Sequence, residues 1–502
     1  MATPSSIAQT IHKPCEREAI VRIRNEDRIK LEKHLFKRYP DREWGTFFKF
    51  GFRRTSWGIS ITFVAPILPM RGDLCRNSNI VEFTAEYNLR AFRVGRNQEM
   101  AIGVVHSHPA GFGTSPSELD NDMDAYFADE LTHFTSGSPY CSLIIQRSDE
   151  IGFTFTGRVH DRGEWIPVKT LFTVGNRIDK CSSEGFPSTG ELDRVGPSEE
   201  STTERLNSLL GNFSARRLRE ARVGIVGNSG TGTPVGHALA RAGVGGFVVV
   251  DPQRISPSNH ERTHSTMFND LFGESKPHKA ALLKRLIHSV NPSASVTAYV
   301  GDLMQENVLD DLLRCDIVLG CTDSIYSRVF LSDLAKHHLL PSLDVAVDMD
   351  GRDGKLTSQV AQFTRYSPDC PCAFCYDLVD ASEMSAELMS ENEREMRRKA
   401  AQGAGEPDAY WRNARQVHTV GYMTSTVGAM ASGYAIGWLT DAFSMPYDSF
   451  QFDIAKPKLG VVEVRSQPSN CSCSLNVGWG DLARSFRNVA RPKHWRPRAI
   501  QL

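Results

Sequence analysis

The apolar strand VGIV runs directly into Gly227-Asn-Ser-Gly-Thr-Gly232 and then into a helical pattern that closes with HALARAGVG. A second apolar strand, FVVVD, follows at once, and DIVLGCTDS repeats the pattern further on. Strands alternating with helical stretches imply a parallel, doubly wound α/β sheet. Small residues at a strand-to-helix turn let backbone amides and the helix N-terminus approach an anion, so Gly227, Gly230 and Gly232 form a candidate phosphate cradle. Asp251 ends the next strand, where a carboxylate is placed to bind ribose hydroxyls. Taken alone, the turn fits NAD as readily as ATP.

Upstream of this region the pattern is different. To about residue 172 the chain sets short strands (ISITFVAPIL, AIGVVHSHP, CSLIIQR, IGFTFTG) between polar turns, with helices expected near 24–37 and 117–134. Between 176 and 203 the composition turns to Ser, Gly, Pro and acids, as in an interdomain linker. At 502 residues the chain exceeds one ordinary core. The expected division is 1–175, a linker at 176–203, a second domain at 204–485, and a basic tail at 486–502. With 58 basic and 59 acidic residues there is no overall attraction to nucleic acid or anionic membrane. The first twenty residues lack an apolar signal core, and no run approaches ~18 apolar residues. A soluble, cytoplasmic protein is expected.

Residues 106–120, HSHPAGFGTSPSELD, place His106, His108, Ser117 and Asp120 at a spacing suited to a catalytic zinc ion. Two imidazoles and a carboxylate supply three ligands and leave the fourth position open, the wiring of a hydrolase. The pattern resembles the JAMM (MPN/JAB) metallopeptidase family, which cuts after the C-terminal glycine of ubiquitin-like proteins. That resemblance implies an α+β, cytidine-deaminase-like fold, a glutamate base on an early strand and a serine that donates to the developing oxyanion. Glu43, two residues before a glycine and an apolar strand, matches the base; Glu82 and Glu86 compete with it. Ser117 matches the donor.

The residues after Asp251 resemble a second family. DPQRISPSNHER keeps Asp251, Ser258, Asn259 and Arg262 in step with the ubiquitin-activating, ThiF and MoeB adenylyltransferases, and PHKAALLKRLIHSVNP and CDIVLGCTDS continue the likeness. The resemblance implies a Rossmann-like domain in which Asp251 holds ribose and Asn259, Arg262 and a lysine neutralise the phosphates of ATP. Asp323 then holds Mg2+ or orients the nucleotide. Lys279, which keeps the family's distance to the Asn-Pro pair at 291, is the preferred lysine; Lys276, which keeps a Gly-x-x-Lys pattern from Gly273, stays open. Two positions depart from the pattern: Ser229-Gly230 replaces a glycine pair, and Gln253 replaces an acid. These enzymes often borrow an arginine from a homodimer partner, and Arg205 lies near the expected place.

Eleven cysteines, five of them in two short clusters, point to metal ligands before disulfides. Cys372 and Cys375, with Cys471 and Cys473, resemble the structural zinc site of many adenylyltransferases; Cys370 lies beside the first pair. No cysteine occurs from 376 to 470, where ubiquitin-activating enzymes carry their acceptor thiol, so no self-thioester is expected. The activated chain is expected to pass to a separate conjugating enzyme or acceptor thiol, with a serine hydroxyl of the cysteine-free segment as the alternative. Together these features imply a bifunctional enzyme that trims or deconjugates a ubiquitin-like protein and adenylates its C-terminal glycine. Two alternatives stay open: processing and activation of a ThiS- or MoaD-like sulfur carrier, and a regulatory binder with inactive sites.

Overall fold

The computed structural model describes residues 17–77, 80–135, 137–148, 152–183, 202–272, 275–403, 419–454, 458–462, 471–483 and 496–502. The first unit contains β1 (Glu18–Arg24), α1 (Asn25–Leu35), β2 (Trp44–Thr55), β3 (Gly58–Ile67), a hairpin of β4 (Leu74–Asn77) and β5 (Ile80–Phe83), and α2 (Ala85–Gln98). It continues through β6 (Ala101–Ser107), α3 (Glu118–Phe134), β7 (Tyr140–Ser148), β8 (Gly152–Asp161), β9 (Glu164–Val174) and β10 (Ile178–Ser182).

Its main sheet runs β1-β3-β2-β6-β7-β8-β9-β10, and β1 also pairs with β9. That extra pairing closes the sheet into a barrel, which the expected α+β reading did not include. The closure follows from β1, whose residues Ala19 to Ile23 are all buried and whose backbone is bonded on both edges. Phe48, Phe50, Phe63, Phe155 and Val168 fill one core, while Phe47, Tyr87, Phe92 and Phe127 fix α2 and α3 to the outside.

The second unit contains α4 (Glu204–Glu220), β11 (Arg222–Val226), α5 (Gly232–Arg241), β12 (Gly246–Val250), α6 (Lys279–Val290), β13 (Ser295–Val300), α7 (Glu306–Leu312), β14 (Ile317–Gly320) and α8 (Ile325–His337). After these come β15 (Ser342–Arg352), β16 (Lys355–Tyr366), α9 (Ala381–Glu387), α10 (Glu391–Gly403), α11 (Gly421–Thr440), β17 (Ser449–Asp453), β18 (Lys458–Val461), α12 (Ser472–Leu475) and β19 (Ile500–Gln501). The sheet order is β18-β17-β16-β15-β14-β11-β12-β13-β19. Strands β13, β12, β11, β14 and β15 are mutually parallel, as the alternation predicted, and antiparallel strands extend both edges. The order reverses between β12 and β14 on either side of β11, so a crevice opens at the carboxyl ends of those strands.

Two boundaries differ from the expected division. Residues 178–182 of the supposed linker form β10 against β9, and the linker residues 184–201 lie outside the described ones. The supposed tail returns as β19 on β13. The two units are also docked rather than strung apart. Arg22, almost fully buried, donates to Leu313 O and Cys315 O across the boundary. Arg53 bonds Asp310, Glu306 and Asp481, and Trp57 Nε1 donates to Asp310 O. Ile20, Trp57 and Phe172 belong to the same buried cluster as the parallel strands. Hydrophobic faces of β1 and β9 that a free-standing barrel would expose are thereby covered. Among the described residues no helix is long and apolar enough to cross a membrane.

Candidate functional site

Strand β6 delivers His106, and the turn after it delivers His108, whose backbone N–H donates to Ile145 O. Ser117 caps α3: its Oγ accepts from Asp120 N while Asp120 Oδ2 accepts from Ser117 N and Oγ at 2.7 Å each. The capping box turns the Asp120 carboxylate back towards the histidines. His106 Nε2 lies 3.3 Å from His108 Nε2 and 3.1 Å from Asp120 Oδ1, and His108 Nε2 lies 3.6 Å from Asp120 Oδ2. A tetrahedral ion with ligand bonds of ~2.0 Å needs edges of ~3.3 Å. The three buried ligand groups therefore fit one zinc ion.

His108 Nδ1 lies 2.9 Å from Gly113 O, a partner that takes only a proton, so Nε2 keeps its lone pair for a metal. His106 Nδ1 is buried with no hydrogen-bond partner among the described residues. Burial alone raises the Asp120 pKa, but hydrogen bonds from both imidazoles outweigh it and hold the carboxyl well below its ordinary range. Burial lowers His108, yet Asp120 and Gly113 together raise it.

Glu43 precedes β2, and its Oε1 lies 4.0 Å from His108 Nε2. Burial pushes its carboxyl above the ordinary value, against the pull of His106 and His108. The Glu-x-Gly spacing has a steric cause. Gly45 pairs with His106 across the β2–β6 ladder, and a Cβ there would lie 3.0 Å from the Phe83 ring and 3.2 Å from His106 Cβ. Glu82 and Glu86 are exposed on β5 and α2. The Ser117 hydroxyl donates to Asp120 Oδ2, so here it orients a ligand rather than standing free for an oxyanion.

Sequence reading missed Arg158. From β8 it bonds Asp124 Oδ2 at 2.7 Å, Asn121 Oδ1 at 2.6 Å and Asp120 O at 3.3 Å, clamping the first turns of α3. Its separation from Asp120 in sequence leaves no local pattern to find.

The second set of candidate ligands comes from the turn after β16 and from residues 471 and 473 at the entry to α12. Cys372 Sγ lies 3.5 Å from Cys375 Sγ and 3.9 Å from Cys471 Sγ, and Cys375 Sγ lies 3.8 Å from both Cys471 and Cys473. Zinc–sulfur bonds of ~2.3 Å give tetrahedral edges of ~3.8 Å. Four thiolates thus fit a closed zinc site. Cys370 stands apart from it, with Sγ 3.1 Å from Ser367 Oγ.

At the crevice, Gly227 has φ +88°, and a Cβ on it would lie 2.5 Å from Cys321 O; one on Gly232 would lie 1.8 Å from Gly227 O. Only glycine folds the loop this tightly. A Cβ on Gly230 would lie 3.3 Å from the Arg262 side chain, so the loop and Arg262 abut. Asp251 accepts from Asn228 N and Gln253 N at 2.8 Å each. Lys279 is buried with Nζ 2.6 Å from Gln253 Oε1, and its charge is felt with those of Asp251, Arg262 and Asp323. Burial lowers the Lys279 pKa and raises that of Asp251, and each partly restores the other. Gln253, the departure from the acidic pattern, is what anchors the lysine. The Lys276 carbonyl instead accepts from Arg254.

Asn259 takes Ser256 N and Oγ on its Oδ1, and Arg262 Nη1 bonds Thr419, including its hydroxyl. Asp323 is exposed just before α8, whose N-terminal amides at Ile325 and Tyr326 are capped by Glu387, a contact with no sequence signal. Asn228 Oδ1, Ser229 Oγ and Arg262 Nε are buried without hydrogen-bond partners among the described residues. Buried polar atoms of this kind are ordinarily met by ordered water or by a bound polar ligand. Cys321 also borders the loop, and burial drives its thiol far above the ordinary value. Arg205 lies exposed in the first turn of α4.

The ThiF family profile matches residues 203–475. The sulfur carrier protein ThiS adenylyltransferase of Bacillus subtilis is 29% identical over 178 residues, which cover 36% of this chain and 49% of that protein. The adenylyltransferase and sulfurtransferase UBA4 of Kluyveromyces lactis is 31% identical over 150 residues, 30% of this chain and 31% of that one. The SAMP-activating enzyme E1 of Haloferax volcanii is 30% identical over 166 residues, 33% and 57% of the two chains. This chain therefore spans from about a third to little more than half of these relatives. Among solved structures, the microcin C7 biosynthetic enzyme MccB in complex with N-formylated MccA aligns with a TM-score of 0.41 at 17% identity, over 57% of this chain and 77% of that one.

Proposed function

Since the chain belongs to the ThiF family across residues 203–475, we propose that its second unit is an ATP-dependent adenylyltransferase acting on the C-terminal glycine of a small carrier protein. The observation that carries this reading is Lys279, buried with its Nζ 2.6 Å from Gln253 Oε1, next to the Asp251 carboxylate that holds the amides of Gln253 and of Asn228 in the glycine loop. Asp251 holds the ribose, and Asn259, Arg262 and Lys279 face the triphosphate. A carboxylate oxygen of the carrier attacks the α-phosphorus, the bond to the β-phosphate oxygen breaks, and pyrophosphate leaves with its charge offset by those cations. Asp323 would hold Mg2+ or orient the nucleotide; the ion, when bound, would add positive charge on the leaving group.

The names of the relatives favour one kind of carrier. Several are called sulfur-carrier adenylyltransferases or sulfurtransferases, so activation of a ThiS- or MoaD-like protein ranks above ubiquitin-like conjugation, reversing the order drawn from sequence. Pyrophosphate exchange with ATP, magnesium and a carrier ending in Gly-Gly tests the reading; NAD binding without any effect of ATP overturns it. A homodimer through this unit, and delivery of the adenylate to a thiol on a separate protein, belong to the same proposal.

The first unit we read as a zinc hydrolase acting on the same chain end. The family match begins at residue 203, so this part is supported by the ligand geometry and the JAMM-like residue pattern alone. His106, His108 and Asp120 would hold the ion, which when bound supplies Lewis acidity and makes water acidic enough to ionise near neutral pH. Glu43, with its raised pKa, accepts the proton and returns it to the leaving amine. A processing site and an activating site on one chain raise the effective concentration of their shared substrate. Cleavage of a carrier fusion after its terminal glycine is the assay.

A further inference from the structure

We infer that the four-thiolate site fastens the first unit to the second, through the segment 471–483 that carries Cys471 and Cys473. This rests on the reading that the thiolates hold zinc. The segment leaves the cysteines through α12 and turns at Gly478 and Gly480, with φ of +77° and +57°. On one side it is bonded to the end of α8: Gly478 N donates to Lys336 O and Gly480 N to His337 O, both at 2.8 Å. On the other side it meets the barrel. Thr62 Oγ1 on β3 donates to Gly478 O at 2.6 Å, Gly480 bridges to Phe52 on β2, and Asp481 N donates to Phe52 O at 3.1 Å. A Cβ on Gly51 would lie 2.2 Å from the Trp479 carbonyl carbon, so the two backbones touch. Arg53 then pairs with Asp481 at 2.8 Å.

Residues 478–481 are therefore a strip clamped between α8 and the barrel strands β2 and β3. A short strip held mainly by backbone hydrogen bonds at its two faces opens locally, and what fixes its start limits that opening. Here that is the pair Cys471 and Cys473, held opposite Cys372 and Cys375. Neutral thiols attract one another only weakly, whereas a shared zinc ion binds all four. A cavity of about 910 Å³, lined by Cys375, Cys471 and Cys473 on one wall and by Arg24 and Asn25 of the barrel unit on another, gives a chelator access.

The test is hydrogen exchange on the full chain before and after chelation, with zinc counted in parallel, and on Cys473→Ser. The amides of Gly478, Gly480 and Asp481 should exchange at least about tenfold faster without thiolate zinc, while those of Ile225 and Val249 in the parallel sheet do not change. Thr62→Val should keep its zinc yet loosen the same amides, because it removes only the outer contact. Loss of thiolate zinc with unchanged exchange at 478–481 overturns the fastening role alone. A chain that binds no zinc at these thiolates overturns it together with the zinc reading.

Discussion

Lys279→Ala is the sharpest probe of the nucleotide site, because two lysines competed for its role in the sequence. A charge ~4 Å from a phosphate oxygen, in surroundings of effective dielectric ~20, contributes on the order of 4 kcal/mol. Losing one preorganised group that stabilises a transition state costs ~10²–10³-fold in rate. Lys279→Ala should therefore lower kcat for pyrophosphate exchange by ~10²–10³-fold. Gln253→Ala removes only the 2.6 Å hydrogen bond and keeps the charge, so it should lose far less. Because Lys279→Ala also removes a positive charge that favours the buried Asp251 carboxylate, thermal unfolding is measured alongside. The pH profile adds a second reading. Burial lowers the Lys279 pKa below the ordinary 10.5, so exchange should fall before an ordinary lysine titrates. Over that interval the unfolded chain holds the proton that the folded one has lost, so this group makes stability rise with pH while activity falls. Full activity in Lys279→Ala with a dead Lys276→Ala would refute the assignment and move the role to Lys276.

His108→Ala should remove one of two zinc ions, by metal analysis, and abolish carrier cleavage. Adenylation should persist, since Glu43 and His108 lie at the opposite end of β2 from the Arg53 contacts with the second unit. Glu43→Gln should keep zinc and lose ~10²-fold or more in cleavage rate; a full loss in Glu82→Gln or Glu86→Gln with an active Glu43→Gln would reassign the base. Arg158→Ala should weaken zinc binding by ~10–100-fold, the usual scale for a residue that positions a ligand, with partial rescue by Arg158→Lys. Intact mass after incubation with ATP and carrier should show no adduct sensitive to reductant; one mapping to Cys321, Cys370 or Cys372 would show that a thiol here accepts the acyl group.

The sequence alone determined what local chemistry determines. Gly227 and Gly232 between an apolar strand and a helix specify a tight loop because no side chain fits there, and strand–helix alternation specifies the parallel sheet around it. The Ser117 to Asp120 spacing is one capping box, so it aims a carboxylate whatever the rest of the chain does. Glu43 was legible through Gly45, whose missing side chain lets β2 approach His106. Contacts between distant segments have no such local signature. The closing of β1 on β9, the return of residues 500–501 to β13, the capping of α8 by Glu387 and the Arg158 clamp each join residues far apart in sequence, and each is selected by burial that exists only once the units are packed. The burial of Lys279 belongs to the same class: spacing in the sequence favours it over Lys276, but only the fold buries it with its Nζ on Gln253.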